Sequence, residues 1–359
     1  MKTITSIAPA RTCLFGDHQD YLGLPVIACA IDRHIKLIAR KNSQNVFRIN
    51  MIDIQEMRII DINDTFPNLK PRDYFASSLR VLRRHGCIPH SGYDIDITGN
   101  IPINAGISSS SALLLGWINF LISAFGVEGD VTPDRIAEFG YLSEIKEHGE
   151  PGGMMDHYSI GVGNIVYIDT TEPFSCSVIG TEMDGLIIGV SGVPKETVGV
   201  LKDVKTNALK AIELVKKRFP DFNLKKETPK DLDKYMDTIS DGLKPYFEAA
   251  IKNHYYTKEA VKEFEKSPLD LKEIGELMNG HHAVLRDLLN ITVPRIDDMI
   301  DAALSNGAYG AKIVGSGGGG CIVAITPPDK EDAVVKAILN AGAVEAYKVA
   351  VDPGARISN

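Results

Sequence analysis

A glycine- and serine-rich segment runs directly into a long apolar stretch in the first half of the chain. Residues 101–112 read IPINAGISSSSA, and residues 113–125 read LLLGWINFLISAF. This order predicts a loop followed by a buried helix whose first turn carries serines. The first N–H groups of a helix lack carbonyl partners and lie at the positive end of its dipole, so they favour a bound anion. The segment predicts a phosphate-binding loop, with an ordinary serine N-cap as the alternative.

The length and composition of the chain limit its architecture and its partners. At 359 residues and 44% hydrophobic content, it exceeds the roughly 250–300 residues at which single cores stop growing. We expect two domains, residues 1–185 and 186–359. The net charge of −8 and the lack of a basic tract argue against nucleic acid or a membrane surface as partner. A small-molecule partner and a cytoplasmic location are expected, and the oligomeric state stays open.

Apolar spacing predicts helices interleaved with strands. Strand-like runs lie at 26–31, 35–39, 57–62, 93–97 and 186–193, and helical spacing marks 73–86, 133–148, 195–218, 229–253 and 257–265. The chain then shows a helix, a strand, a glycine run, a strand, a helix and a terminal strand between 294 and 351. This mixture predicts an α+β fold.

The cysteines and the known metal motifs give no indication of a protein-bound transition metal. The five cysteines are scattered without a C-x-x-C pair, and no HExxH helix is present. We interpret the cysteines as small buried hydrophobic residues. The metal that we expect is magnesium brought by a nucleotide.

The run GSGGGG at 315–320 satisfies the pattern G-x-G-x-x-G. It does not predict a dinucleotide site, because the strand-like CIVAI follows it where that fold needs a helix. A hairpin is predicted, and the glycines serve either a tight turn or the close approach of a ligand. A Walker A motif is absent. The segment 101–112, which we call the serine loop, contains no lysine. The charge of a bound phosphate must therefore be neutralised by magnesium and by other segments.

Two acidic segments supply candidates for proton transfer. Arg11, Asp17, His18 and Asp20 lie within ten residues of one another, and Glu144 and Asp156 flank a Gly-Gly turn. An Asp held near an Arg stays ionised and can accept a proton from an alcohol, while the guanidinium offers a fork to a phosphoryl group.

Three blocks of the sequence, in order, resemble the motifs of the GHMP kinases, the family named after galactokinase, homoserine kinase, mevalonate kinase and phosphomevalonate kinase. PARTCLFGDHQDYLG (9–23) resembles the galactokinase form P-G-R-x-N-x-I-G-E-H-x-D-Y-x-G. IPINAGISSSSA resembles P-x-G-x-G-L-S-S-S-A, and GAYGAKIVGSGGGGCIVAI (307–325) is similar to the glycine-rich third motif. The resemblance spans nearly the whole chain, and LMNGHHAVLRD and PGGMMDHYSIG add to the likeness to the galactokinase branch.

The resemblance implies a fold and a set of roles. The N-terminal lobe would be like the second domain of ribosomal protein S5 and the C-terminal lobe ferredoxin-like, with ATP and substrate between them. Asp156 matches the catalytic base, Arg11 its partner, and Ser110 and Glu144 the magnesium ligands. The ATP phosphate loop is matched by Gly106, Ser108, Ser109, Ser110 and Ser111. The sugar contacts are matched by Asp17, His18, Asp20 and Gly153.

Two departures bear on the acceptor. Asp17 stands where galactokinases have Glu. Residues 191–210 lack the Tyr of the galactokinase segment S-x-Y-x-x-R, so that contact with the sugar ring is either missing or replaced, with Lys195 or Thr197 as the candidates. The function expected is ATP-dependent phosphorylation of a sugar. The expected acceptor is the anomeric C1 hydroxyl of galactose or of a galactose-like sugar such as L-arabinose, a uronic acid or an amino sugar. The alternatives are a catalytically silent sugar sensor and another GHMP branch, which GDHQDYLG disfavours.

Overall fold

Strands from both ends of the chain pair within one mixed sheet. The computed structural model describes residues 3–103, 105–150, 152–194 and 197–358. The strands of this first sheet are β1 (Thr3–Phe15), β2 (Val26–Lys41), β3 (Val46–Met51), β4 (Glu56–Asp61), β5 (Tyr93–Gly99), β6 (Ile165–Asp169), β7 (Ser175–Gly180) and β12 (Arg356–Ser358). Their order is β12–β1–β2–β5–β3–β4, with β6 beside β2 and β7 beside β6.

A smaller antiparallel sheet forms from the second half of the chain. Its strands are β8 (Leu186–Val190), β9 (Gly310–Ile313), β10 (Cys321–Ile325) and β11 (Glu345–Val349), in the order β11–β8–β10–β9. The glycine run connects β9 to β10, as the sequence predicts. The division of the chain at 185/186 stays a prediction.

Helices pack against both sheets. They are α1 (Tyr74–Arg83), α2 (Ser109–Phe125), α3 (Pro133–Tyr141), α4 (Met155–Val162), α5 (Thr197–Arg218), α6 (Asp233–Met236), α7 (Lys244–Phe264), α8 (Leu271–Asp287), α9 (Pro294–Ser305) and α10 (Glu331–Asn340). A π-helical turn, Leu142–Lys146, extends α3. Two sheets covered by helices confirm the α+β prediction. Among the described helices, none combines the length and the apolar character that crossing a membrane would take.

Helix α2 is apolar because it is buried on most sides. It packs against β1, β2, α1, α3 and α4. Trp117 in its middle is fully buried and meets the rings of Phe47 and Phe75 edge-on at centroid distances of 5.2 Å. This packing fixes the helix, and with it the position of the serines at its N-terminus.

Some predicted boundaries differ from the structure. The runs 26–31 and 35–39 form one strand, in which Asp32 and Arg33 are the extra residues of a register shift opposite Pro9 and Ala10 of β1. The helical patterns at 229–253 and 257–265 become a short turn at Pro229–Asp231, then α6, then the continuous α7. Residues 346–351 are not the terminal strand, since β12 follows and pairs with β1.

The aromatic packing around α2 predicts a large stability loss for Phe47→Ala. Phe47 is fully buried, and removal of a buried Phe side chain costs about 3–5 kcal/mol. Ile59→Ala on the neighbouring strand is the control, because Ile59 is 61% exposed and its truncation should change the unfolding free energy by less than about 0.5 kcal/mol. Urea unfolding followed by Trp117 fluorescence measures both. Equal losses for the two variants would contradict the assignment of Phe47 to the core.

Candidate active site

A turn between β1 and β2, residues 16–23, carries the first group of candidate residues. We call it the acceptor turn. Gly16 opens it at φ 100°, and a Cβ atom on this residue would lie 2.9 Å from the Val26 Cα. Both the backbone conformation and the close approach require glycine. The turn therefore brings the residues after Gly16 out of the sheet and toward the second lobe.

His18 in the acceptor turn bridges the two lobes as a neutral imidazole. Its Nε2 lies 3.0 Å from the Ser316 carbonyl oxygen, and its Nδ1 lies 3.0 Å from the Tyr21 hydroxyl. Because a carbonyl can only accept, Nε2 carries the proton and Nδ1 accepts from Tyr21. Burial lowers the pKa of His18, which agrees with the neutral form.

The serine loop is joined to strand β1 and to helix α4. Ser108 has a left-handed backbone, φ 60°, and its hydroxyl does not cap α2. That hydroxyl instead donates to Asp156 Oδ2 at 2.6 Å. The Arg11 Nη1 donates to the Gly106 carbonyl oxygen at 2.6 Å. An ordinary N-cap role for Ser108 is therefore wrong, because its side chain is committed to a carboxylate in α4.

Arg11 and Asp156 form a two-pronged ion pair. The Arg11 Nε and Nη2 atoms both lie 2.8 Å from Asp156 Oδ1. Arg11 is buried, whereas a third of the Asp156 side chain is exposed. Burial alone would raise the pKa of Asp156, but the Arg11 charge and the hydrogen bonds from Arg11 and Ser108 outweigh it and hold that pKa well below its usual range. Asp156 is a carboxylate throughout the physiological pH range.

Glu144 on the π-helical turn faces the serines of α2. Ser110 donates to Glu144 Oε1 at 3.2 Å and Ser111 to Oε2 at 2.7 Å, and His157 Nε2 lies 2.9 Å from Oε2. A hydroxyl and a carboxylate oxygen about 3 Å apart suit neighbouring positions around Mg²⁺, which takes one or two carboxylates and completes its shell with phosphates and water. Within the described residues no group of three or more His, Cys, Asp or Glu side chains forms a metal cluster.

Asp20 lies against a glycine that leaves room for its carboxylate. A Cβ atom on Gly153 would overlap the Asp20 Oδ2 atom. Burial raises the pKa of Asp20 to about 6, the nearby Asp156 charge adds to this increase, and the hydrogen bond from the Tyr21 N–H opposes it. Two carboxylates in one place favour a ligand with several hydroxyl donors.

The glycine run brings the second lobe against the serine loop and the acceptor turn. Cβ atoms on Gly320 and Gly315 would lie 3.0 Å from the Ala105 carbonyl oxygen and 3.5 Å from the Gly106 carbonyl oxygen. The Gly315 N–H donates to Asp17 Oδ1 at 2.6 Å, and Lys312 Nζ lies 2.6 Å from Asp17 Oδ2. The glycines are therefore needed for close backbone approach as well as for the turn.

These elements enclose two adjoining cavities. The first cavity, about 530 Å³, is lined by the acceptor turn, the serine loop, Glu144, Asp156 and the glycine hairpin. The second, about 880 Å³, lies between β4, α1 and α2. Arg72 and Tyr74 line both. A ligand that extends from one cavity into the other passes these two side chains.

Most of the residues singled out from the sequence line the first cavity: Arg11, Asp17, His18, Asp20, Gly106, Ser108, Ser109, Ser110, Glu144, Gly153 and Asp156. Ser111 does not, since it is buried and donates to Glu144. Sequence reasoning missed Tyr21, Arg72, His157 and Lys312. Of these, Lys312 had a visible signal, a lysine within an otherwise apolar strand pattern.

The expectation that Lys195 or Thr197 of the segment 191–210 contacts the acceptor stays a prediction. Lys195 lies outside the described residues, and so does the side chain of Thr197. Within the described part, Leu201 of α5 lines the first cavity. Lys205, one turn further along, lies 5.5 Å from the centre of the Tyr21 ring. The start of α5 therefore covers the acceptor turn.

The chain is similar to known kinases over most of its length. Family models described as galactokinase galactose-binding signature, GHMP kinases N terminal domain and GHMP kinases C terminal match residues 2–41, 73–164 and 258–344. The chain is 27% identical to a mevalonate kinase of Thermococcus sibiricus, over all of this chain and 99% of that protein. It is 29% identical to a galactokinase of Lacticaseibacillus casei, over 91% of this chain and 87% of that protein.

A solved structure shares the fold. Lactococcus lactis galactokinase, crystallised with galactose, superposes with a TM-score of 0.88 at 22% identity, covering 99% of this chain and 95% of that one. The three family models together match more than half of the chain, and the matched ranges contain the acceptor turn, the serine loop and the glycine run, in this order. The chain belongs to the GHMP kinase family and is galactokinase-like.

Proposed function

We propose that the protein transfers the γ-phosphoryl group of ATP to a hydroxyl of a neutral sugar, with the anomeric C1 hydroxyl of galactose or a galactose-like sugar as acceptor. The observation that carries this proposal is the Arg11–Asp156–Ser108 cluster, which holds an ionised carboxylate beside the N-terminus of α2 in one cavity. Phosphoryl transfer depends mainly on positioning and charge neutralisation, and this site supplies both.

The phosphate end of the site is the start of α2. Ser109 and Ser110 of its first turn line the first cavity, and their hydroxyls and the free N–H groups of this turn suit a polyphosphate. The second cavity, which shares Arg72 and Tyr74 with the first and is lined by Phe66 and Ile60, suits the nucleoside. Gly106 and Ser108 of the loop and Ser111 of α2 shape this end through their hydrogen bonds with Arg11, Asp156 and Glu144.

Ser110 and Glu144 are the residues that would hold magnesium. The oxygens of these two side chains lie together at the phosphate end, and His157 and Ser111 fix the second Glu144 oxygen. When bound, Mg²⁺ would neutralise charge on the ATP phosphates.

Asp156 receives the proton of the acceptor hydroxyl. The acceptor oxygen forms a bond to the γ-phosphorus, the bond from phosphorus to the bridging oxygen of ADP breaks, and the hydroxyl proton passes to the carboxylate. A carboxylate of low pKa is a weak base before transfer begins. It suffices because the hydroxyl becomes acidic only as its bond to phosphorus forms. Arg11 keeps the carboxylate ionised and oriented.

The part of the first cavity next to the acceptor turn, which we call the acceptor end, favours a neutral polyol over an anion. Among the described lining residues the arginines are already paired, Arg11 with Asp156 and Arg72 with Glu150 at 3.1 Å. Asp20 and Asp156 add negative charge, which suits hydroxyl donors and opposes a carboxylate. Gly153 gives Asp20 its space. A uronic acid is therefore disfavoured, and mevalonate, suggested by the Thermococcus sibiricus relative, is the second candidate.

A panel of acceptors with ATP and Mg²⁺, followed by ADP release, tests the proposal. We expect turnover with galactose or with a neutral relative such as L-arabinose. For galacturonic acid and mevalonate we expect a kcat/KM at least about tenfold lower, because an anion without a partner at the acceptor end loses about 1.4 kcal/mol or more of binding free energy. Preference for mevalonate would replace the sugar kinase with the second candidate. ATP binding without turnover of any acceptor would indicate a sensor.

Asp156→Asn is expected to lower kcat by at least about 100-fold, because it removes the proton acceptor. The dissociation constant for ATP should stay within about threefold of the wild-type value, because Asp156 is proposed to contact the acceptor and not the ATP phosphates. Stopped-flow turnover and calorimetric ATP binding measure the two effects. Asp94→Asn on β5, an exposed carboxylate outside the cavity, is the matched control. Substantial residual turnover would mean that the proton leaves by another route.

Asp20→Asn is expected to stabilise the protein at pH 8 while it weakens acceptor binding. The pKa of Asp20 is raised from 3.8 to about 6, so folding opposes its ionisation, and its contribution to stability is lost as the pH rises from 4 through 6. The melting temperature of the variant should therefore exceed that of the wild type at pH 8 and approach it at pH 4.

Asp169→Asn is the control of opposite sign for this measurement. The pKa of Asp169 is lowered, since the hydrogen bonds from Thr171 and the Lys225 contact outweigh its burial. Its removal should lower the melting temperature slightly, or leave it unchanged, at pH 8. A melting temperature of Asp20→Asn below that of the wild type at pH 8 would contradict the conclusion that folding opposes the ionisation of Asp20.

A further inference from the structure

A fully buried ion pair lies between the acceptor turn and the second sheet. Lys312 Nζ is 2.6 Å from Asp17 Oδ2, and neither side chain is exposed. The same Nζ donates to the Cys13 carbonyl oxygen at 2.9 Å. The Gly315 N–H occupies the other Asp17 oxygen at 2.6 Å. Both oxygens of Asp17 are therefore held by groups of the protein.

The pair joins parts of the chain that come from different lobes. Asp17 follows β1 of the first sheet, and Lys312 lies in β9 of the second. The next residue of the turn, His18, continues the same connection through its bond to the Ser316 carbonyl oxygen. Asp17 and His18 of the acceptor turn are thus both bound to residues 312–316, which lead from β9 into the glycine run.

Burial makes this connection specific. A buried charge that loses its partner strongly destabilises the fold. The folded state therefore keeps Asp17 and Lys312 in contact. Ion pairing outweighs burial and lowers the pKa of Asp17, which keeps the carboxylate charged. His281, buried against the ring of Phe15, also lies near Asp17.

We infer that Lys312 is a positioning residue for the acceptor, acting through Asp17 to set the places of His18 and Asp20. Asp17 then holds the turn and does not itself bind the sugar, in contrast to the role that its sequence position implies. This inference rests on the proposed function. It predicts that acceptor binding depends on the pair as a unit, whereas ATP binding at α2 does not.

A double-mutant cycle tests this inference. Lys312→Gln and Asp17→Asn should each raise the acceptor KM by about tenfold or more and change the KM for ATP by less than about twofold. The double variant should recover the acceptor KM to within about threefold of the wild type, because no unpaired charge remains and the Asn oxygen can still accept from Gly315.

Three outcomes would overturn the inference. Additive losses in the double variant would mean that Asp17 binds the acceptor directly. Lower melting temperatures with unchanged acceptor KM would mean that the pair serves stability alone. If Lys312→Gln does not fold, the comparison of Asp17→Asn with the double variant still decides, since no recovery of the KM contradicts positioning. Asp352→Asn is the matched control, because it removes another buried carboxylate that does not line the cavity.

Hydrogen–deuterium exchange separates this inference from the proposed function. Without substrate, Lys312→Gln should increase deuterium uptake in a peptide covering residues 16–23, and Asp352→Asn should not. This readout holds even if the acceptor panel finds no turnover, in which case the proposed function alone fails. Unchanged uptake in the acceptor turn would overturn the positioning role.

Discussion

The ion pair between Arg11 and Asp156 is the interaction on which the site depends. Arg11 belongs to a buried strand, Asp156 opens helix α4, and the same guanidinium holds the serine loop through the Gly106 carbonyl oxygen. A buried guanidinium has to be paired, and here its partner is a carboxylate that remains partly exposed to the cavity. The Arg11 guanidinium therefore joins β1, the serine loop and α4 around the place where phosphoryl transfer is proposed.

Charge is distributed unevenly along the first cavity. Backbone N–H groups and hydroxyls lie at the start of α2, whereas carboxylates collect at the acceptor turn. This arrangement suits the proposed ligands, with phosphate at one end and hydroxyls at the other. Galactokinases and mevalonate kinases are similarly close in sequence to this chain, so the choice of acceptor rests on the site and is a proposal.

Local sequence was enough to locate much of the site. The change from small residues to an apolar run marks the start of α2, and Gly16 marks the acceptor turn, because both signals depend on neighbours in the chain. Lys312 was not found, because its position in an otherwise apolar strand pattern signals burial but does not identify the carboxylate that it pairs with. His157 was missed for the same reason, because its partner Glu144 lies on a separate turn.

The sequence by itself determined the α+β elements, the order of the motifs and the residue types available for phosphoryl transfer. The tertiary structure decided what those residues do. In the folded chain the Ser108 hydroxyl donates to Asp156 instead of capping the helix, and Asp17 pairs with Lys312. The same fold lowers the pKa of Asp156 and raises that of Asp20. The physical reason is that burial and pairing join groups that are distant in the chain, such as Arg11 and Asp156, which are 145 residues apart.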